Sequence, residues 1–437
     1  MLEWPLMLFL IFAVLVILML TGMHIAFCFM LICVVGMFIF FGTIGLDQFI
    51  LSIFTSLSTF ILLPVLLFIL MGEIMFHSGI GLRVINIIDK WLGSVPGRLS
   101  LLAVSAGVLL AALTGVSMAS VAILGQTVMP EMKKRGYSKT MILGPILGSG
   151  GLAIMIPPSS IAVLLGAIGE ISVGKILVAI IIPGILMGTI YFTYIIMRCK
   201  LQPRMAPAYE VAPTSLSVKV MELVRYVLPL GLVVFLVIGV IVLGIATPSE
   251  AAATGTIGIV VAAIAYKALK WEVIKKSITG TLRVSGMIFM IVAGATGFSQ
   301  ILAFSGATHG LAQYSTSLNI EPMFIVIAML IVVLIMGCFM DVVAIMMITL
   351  PIFVPTIQVL GLNLVWFAVL ILITIETSLI TPPFGMSLFV MKGVAPPDTT
   401  MQDIYKASGV FVLLNLVAIM LILLFPQIAM WLPGLAR

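Results

Sequence analysis

Gly150-Gly-Leu-Ala-Ile-Met-Ile-Pro-Pro-Ser-Ser160 lies inside a long apolar segment, and Glu376-Thr-Ser-Leu-Ile-Thr-Pro-Pro-Phe-Gly-Met386 repeats its Pro-Pro pair in a second one. A proline in a helix interior removes a backbone hydrogen bond and clashes with the preceding turn, at a cost of about 3 kcal/mol or more. Lipid offers the freed carbonyls no partner. Unwound backbone at membrane depth is tolerated only where protein buries it or where it lines a wet cavity. Two matched breaks therefore predict two sheltered, polar places inside one membrane protein.

That these segments lie in lipid follows from composition. The chain is 63% apolar and 8% charged, against about 25% charged in a soluble domain. Apolar runs of ~20 residues, enough to span hydrocarbon, recur from end to end. The first, Pro5 to Thr21, has no basic segment before it and no small-residue cleavage pattern after it, so it reads as a membrane helix and not a signal peptide. The net charge of +6 belongs to loops and carries no nucleic-acid inference. Cys28, Cys33, Cys199 and Cys338 show no disulfide or metal spacing.

Basic residues cluster at Arg83 to Arg98, Lys133 to Lys139, Arg198 to Arg225 and Lys267 to Arg283, then at Lys392 and Lys406. Under the positive-inside rule each cluster marks the cytoplasm, and crossing parity becomes a test. Leu99 to Met132 has basic residues at both ends. It is too short for two crossings, which need ~40 residues, and wrong for one. It reads as a re-entrant hairpin over about 99–132, descending to Thr114, turning at Gly115 and returning to Pro130. The chain then crosses through the first Pro-Pro segment (about 140–170) and returns through Val173 to Met197.

The proline-bearing stretch 199–225 reads as a cytoplasmic linker between a first half, 1–198, and a second, 226–437. Tyr226 to Ile245 crosses out and Ala251 to Ala268 crosses in. Trp271 to Arg283 reads as a basic interfacial helix, and Val284 to Phe304 crosses out. A second hairpin, about 322–356, and a second broken helix, about 364–391, keep Lys392 and Lys406 inside. The expectation is ten crossings, two hairpins and both termini outside.

The halves also match in order. Gly115-Val-Ser-Met-Ala-Ser-Val-Ala-Ile123 aligns with Gly337-Cys-Phe-Met-Asp-Val-Val-Ala-Ile345, Pro130 with Pro351, and Ile156-Pro157-Pro158 with Thr381-Pro382-Pro383. One half starts outside and the other inside, so the fold class expected is an all-α polytopic protein of two inverted-topology repeats. Interrupted segments at matched positions of such repeats point to a transporter site at the midplane.

Each break exposes N–H groups that favour anions and carbonyls that can hold a cation. Asp341, at the second tip, and Glu376, before the second Pro-Pro, are the acids placed deep in the bilayer, where ionisable side chains are costly and usually functional. Ser117, Ser120, Ser149, Thr374, Thr377, Ser378 and Thr381 offer oxygens, although Ser and Thr also bond back to their own helix. Oxygen-only ligands suit a hard cation such as sodium. With no Lys or Arg near either break, an anionic substrate falls to half-helix N-termini and bound cations.

Gly169 to Lys175 imitates a phosphate-binding loop, but Ile176 replaces its Ser/Thr and no strand precedes it; no nucleotide or organic cofactor is expected. His24, His77 and His309 read as anchors or caps.

The order GEIMFHSGI (Gly72 to Ile80), LTGVSMASVAILG, GGLAIMIPPSS, MGCFMDVVAIMMITLPIFVP and TSLITPPFGMSLFV resembles the large membrane subunit of TRAP transporters, the tripartite ATP-independent periplasmic type. The resemblance covers nearly the whole chain. It implies an elevator-type transporter of bacterial inner membranes, fed with an organic acid by a soluble periplasmic protein and braced by a separate small subunit of about four helices. It implies one sodium site from Gly115, Ser117, Ser120, Ser149, Gly150 and Gly151. A second would use Gly337, Asp341, Thr374, Thr377 and Ser378. Ser159, Thr381 and Gly385 fall on the substrate side, and Glu376 is a possible coupling acid.

The alternatives are a stand-alone symporter or exchanger driven by protons or sodium, and an intramembrane enzyme. The enzyme lacks a matched Asp pair or a Ser-His arrangement at depth.

Overall fold

The computed structural model describes residues 4–93, 95–114, 117–207, 215–317 and 320–435, and every regular element among them is helical. The first half opens with α1 (Trp4–Leu20), α2 (Ile25–Leu57) and α3 (Leu63–His77). His24 caps α2 by accepting from the Ala26 N–H, and α2 bends at Gly42, whose φ of 63° lies in the left-handed region. α4 (Ile80–Leu92) buries Ile80, Val84 and Ile87 and exposes Arg83 and Asn86. That period makes one face apolar and the other wet.

α5 (Arg98–Thr114) and α6 (Ser117–Thr127) pack on each other, with α7 (Met129–Lys134) after them. The ends of α5 and α6 bracket the expected turn, although Gly115 itself lies outside the described residues. α8 (Lys139–Ala153) starts on Ser138, which caps the Met141 N–H, and stops short of Pro157. α9 (Ser160–Ile168) resumes beyond Pro158, capped by Ser159. α10 (Val173–Ala179) and α11 (Ile181–Leu201) complete this half.

In the second half α12 (Leu216–Glu222) continues through residues 223–227 into α13 (Leu228–Val242), so helix begins well before the expected start at Tyr226. α14 (Pro248–Ala265) opens on a capping box between Thr247 and Glu250. The separate interfacial helix expected over Trp271 to Arg283 does not form; those residues begin one 34-residue helix, α15 (Trp271–Phe304). Ser277, Thr281, Ser285, Ile288 and Val292 are buried on the face that packs along α2 and α3, and a continuous contact favours a continuous helix over a break at Gly280.

α16 (Ala307–Ser317) precedes α17 (Pro322–Met336), and the tip Gly337 to Asp341 leads to α18 (Val342–Val359). α19 (Leu364–Leu379) halts before Pro382, and α20 (Met386–Val394) resumes. α21 (Met401–Leu424) and α22 (Gln427–Leu435) end the chain.

Eight helices among the described residues are long and apolar enough to cross a membrane. The two broken helices fall outside that set because each Pro-Pro divides its crossing into shorter pieces. Every residue of α19 from Val365 to Leu379 is buried. A helix buried on all sides belongs in a core, and pieces of both broken helices, α8, α9 and α20, pack on α19.

Candidate functional site

The packing of the hairpin arms is crossed. α6 lies against α8, before the first break, and against α20, after the second. α18 lies against α19, before the second break, and against α9, after the first. Each returning arm thus packs on a piece of both broken helices, one from its own half and one from the other.

At the second break the chain turns tightly. The Thr381 N–H donates to the Ser378 carbonyl at 3.1 Å and the Gly385 N–H to the Thr381 carbonyl at 3.1 Å. A Cβ on Gly385 would stand 2.4 Å from the Leu379 carbonyl oxygen, so only glycine lets the turn close. The hairpin tip rests on this end of α19: a Cβ on Gly337 would lie 1.6 Å from Ser378 Oγ and 2.2 Å from Ser378 Cβ. The structure therefore brings Gly337 and Ser378 together. Asp341 caps α18, its Oδ2 accepting from the Val343 N–H at 3.3 Å.

Thr374 and Thr377 are buried on α19 and donate to the Leu370 and Ile373 carbonyls at 2.8 and 2.7 Å; Ser378 donates to the Ile375 carbonyl. Thr381 donates to Thr377 O at 2.7 Å. A hydroxyl that donates its one proton keeps its lone pairs, so back-bonding to the helix leaves each oxygen able to meet a cation.

The first-half set is placed differently. Ser120, Ser149, Gly150 and Gly151 are buried, and α6 packs on α8. Ser149 donates to Ile146 O at 2.7 Å and faces α5, where a Cβ on Gly107 would lie 1.9 Å from its Oγ. Gly115 and the side chain of Ser117 lie outside the described residues. Gly151 faces the other half: its Cβ position is 3.5 Å from Glu376 Cβ and 3.8 Å from Asn415 Nδ2. Carried back five residues, the register that pairs Ile156 with Thr381 also pairs Gly151 with Glu376, and the two are in contact.

Glu376 is buried on α19. The Tyr191 hydroxyl donates to Asn415 Oδ1 inside the core, while Asn415 Nδ2 is buried without a hydrogen-bond partner among the described residues. Tyr191 on α11 and Asn415 on α21 were missed in reading the sequence. The available signal was a lone amide in the middle of an apolar helix, which demands a partner when buried.

The two breaks differ in surroundings. Pro157 and Pro158 face a small apolar pocket lined by Phe68, Leu177, Val237 and Ile241. Pro383 and Phe384 are exposed; the Phe384 ring lies 5.6 Å from Phe339 of the hairpin tip, and the Tyr405 hydroxyl donates to Pro383 O at 2.8 Å. Of the substrate-side expectations, Thr381 is half-buried and Gly385 is buried directly after exposed Phe384, whereas Ser159 is buried as the cap of α9.

No group of three or more His, Cys, Asp or Glu side chains able to hold a transition metal occurs among the described residues. The donors at the breaks are hydroxyls, carbonyls and the carboxyls of Asp341 and Glu376, a set that fits a hard cation.

Comparison with known proteins gives a consistent result. Residues 12–428 match the family model described as "Tripartite ATP-independent periplasmic transporter, DctM component". The C4-dicarboxylate TRAP transporter large permease protein DctM of Pseudomonas aeruginosa is 31% identical over 388 residues, 88% of either chain. The isethionate TRAP transporter permease protein DctMQ of Oleidesulfovibrio alaskensis is 27% identical over 394 residues, 90% of this chain and 61% of that one. The crystal structure of the Alcanivorax borkumensis YdaH transporter superposes with a TM-score of 0.64 over 90% of each chain at 15% identity, a likeness of fold alone. The chain is a multi-pass membrane transport protein and not an enzyme, and it belongs to the DctM family, the large permease component of tripartite ATP-independent periplasmic transporters.

Proposed function

We propose that this chain carries out sodium-coupled uptake of a small organic anion, a carboxylate or sulfonate, delivered by a soluble periplasmic protein and assisted by a small membrane subunit. The hairpins α5–α6 and α17–α18 move with the broken helices α8–α9 and α19–α20 as one body against the remaining helices. The observation that carries this reading is the crossed packing of α6 and α18, because an arm packed on both broken helices couples the movement of one to the other.

One sodium ion is held by Gly337, Asp341, Thr374, Thr377 and Ser378, another by Gly115, Ser117, Ser120, Ser149, Gly150 and Gly151. Cations there neutralise the substrate's charge where no arginine stands. The N-terminal ends of α9 and α20 supply N–H groups toward it. Relatives named for a C4-dicarboxylate and for isethionate support the solute class.

The test is uptake into proteoliposomes that carry this chain, its small subunit and the soluble protein, under a sodium or a proton gradient, with Asp341→Asn in parallel. Sodium-driven uptake that requires the soluble protein and collapses in the variant is the expected result. Uptake driven by protons alone, or without the soluble protein, refutes it and favours a stand-alone symporter in which Asp341 and Glu376 carry protons.

A further inference from the structure

We infer that the cleft between α4 and the start of α13 is a binding site for the phosphate of an anionic phospholipid. Its floor is the Tyr226 ring. The Arg83 guanidinium from α4 lies 5.7 Å from the ring centre and the Arg225 guanidinium 5.6 Å from it. Tyr266 closes the side: its ring lies 5.3 Å from that of Tyr226, and its hydroxyl donates to the Arg225 carbonyl at 2.7 Å. Two arginines from distant parts of the chain thus converge on one aromatic surface, both exposed.

Charge in the cleft is unbalanced. Its acid, Glu222, is taken by Lys90, whose ammonium contacts both carboxylate oxygens at 2.6 and 2.7 Å. Neither Arg83 nor Arg225 has an ion-pair partner among the described residues. Two guanidinium forks that share one ring and have no ion-pair partner among the described residues suit the oxygens of a phosphate, which each can grip with two parallel N–H donors.

The level in the membrane selects the source of that phosphate. α4 is amphipathic, and Trp91 near its end is 44% exposed; Trp271, just past Tyr266, is 78% exposed. Exposed tryptophans beside apolar helices mark the headgroup layer, and juxtamembrane arginines there attract anionic lipid. The cleft therefore sits where a headgroup phosphate arrives with its acyl chains already in lipid. This inference does not depend on the transport reading, since binding can be read without sodium, substrate or partner chains.

The test is native mass spectrometry of the purified full chain in detergent, titrated with dioleoyl phosphatidylglycerol or dioleoyl phosphatidylcholine. Arg83→Gln, Arg225→Gln, the double variant and Arg204→Gln are compared. Phosphatidylglycerol is expected to bind in preference, weakened about fivefold by each single substitution and about twentyfold by the double, with Arg204→Gln unchanged. Arg83→Lys keeps the charge without the fork and should fall between wild type and Arg83→Gln. Equal binding of the two lipids, or a double variant that binds as wild type does, overturns the proposal. Displacement of the lipid by equimolar inorganic phosphate would assign the cleft to a soluble anion and overturn it as well.

Discussion

Gly337→Ala should damage the site through steric contact alone. Gly337 has an ordinary helical φ of −68°, so alanine suits the backbone. The added Cβ would nevertheless stand 2.2 Å from Ser378 Cβ and 1.6 Å from its Oγ. The hydroxyl can rotate away, but the Cβ cannot. Tip and helix must separate by about 1.2 Å to reach the 3.4 Å of ordinary contact. Overpacking of this kind costs about 1–3 kcal/mol. If the tip must return to bind sodium, the same energy is lost from binding, and the sodium concentration for half-maximal uptake rises about 5- to 150-fold. Uptake against sodium in proteoliposomes reads this directly, with thermal unfolding in detergent as a second measure. Ser378→Gly removes both clashing atoms, so the double variant should be more stable than Gly337→Ala alone, with a coupling of about 1 kcal/mol or more. Wild-type sodium dependence in Gly337→Ala, or strict additivity in the pair, would refute the reasoning.

Asn415→Leu leaves the buried Tyr191 hydroxyl without an acceptor and should lower stability by about 1–3 kcal/mol; Tyr191→Phe in the same background should recover part of the loss in thermal unfolding. Glu222→Gln breaks a part-exposed ion pair with Lys90, whose side chains are 27% and 36% exposed. It should cost no more than about 1 kcal/mol, a difference that fades in ~1 M salt. The Lys133 ammonium, through its hydrogen bond, holds the Asp398 carboxyl below its usual range. A depressed acid contributes stability above its unfolded pKa of about 3.9 and loses it as the pH falls through the lower folded value. The gap in thermal midpoint between wild type and Asp398→Asn should be flat from about pH 8 to 5 and close below about pH 4; a gap that closes near neutrality would disprove the assignment.

The membrane class and the two helix breaks were legible in the sequence because each rests on local rules. Apolar length sets spans and proline removes hydrogen bonds, whereas the capping roles of Ser159 and Asp341 emerged only in the structure. The fusion of Trp271 to Arg283 into α15 was not legible, since its amphipathic pattern suits an interface equally well. Burial of Ser277 and Thr281 against neighbouring helices decided it. Nor could the sequence show that Gly151 meets Glu376, that Tyr191 holds Asn415, or that Arg83 and Arg225 share one ring. Each is a contact between residues far apart in the chain, fixed by how helices pack and not by what any one helix contains. The sequence by itself determined where the backbone must break; only the tertiary structure decided which side chains stand around the breaks.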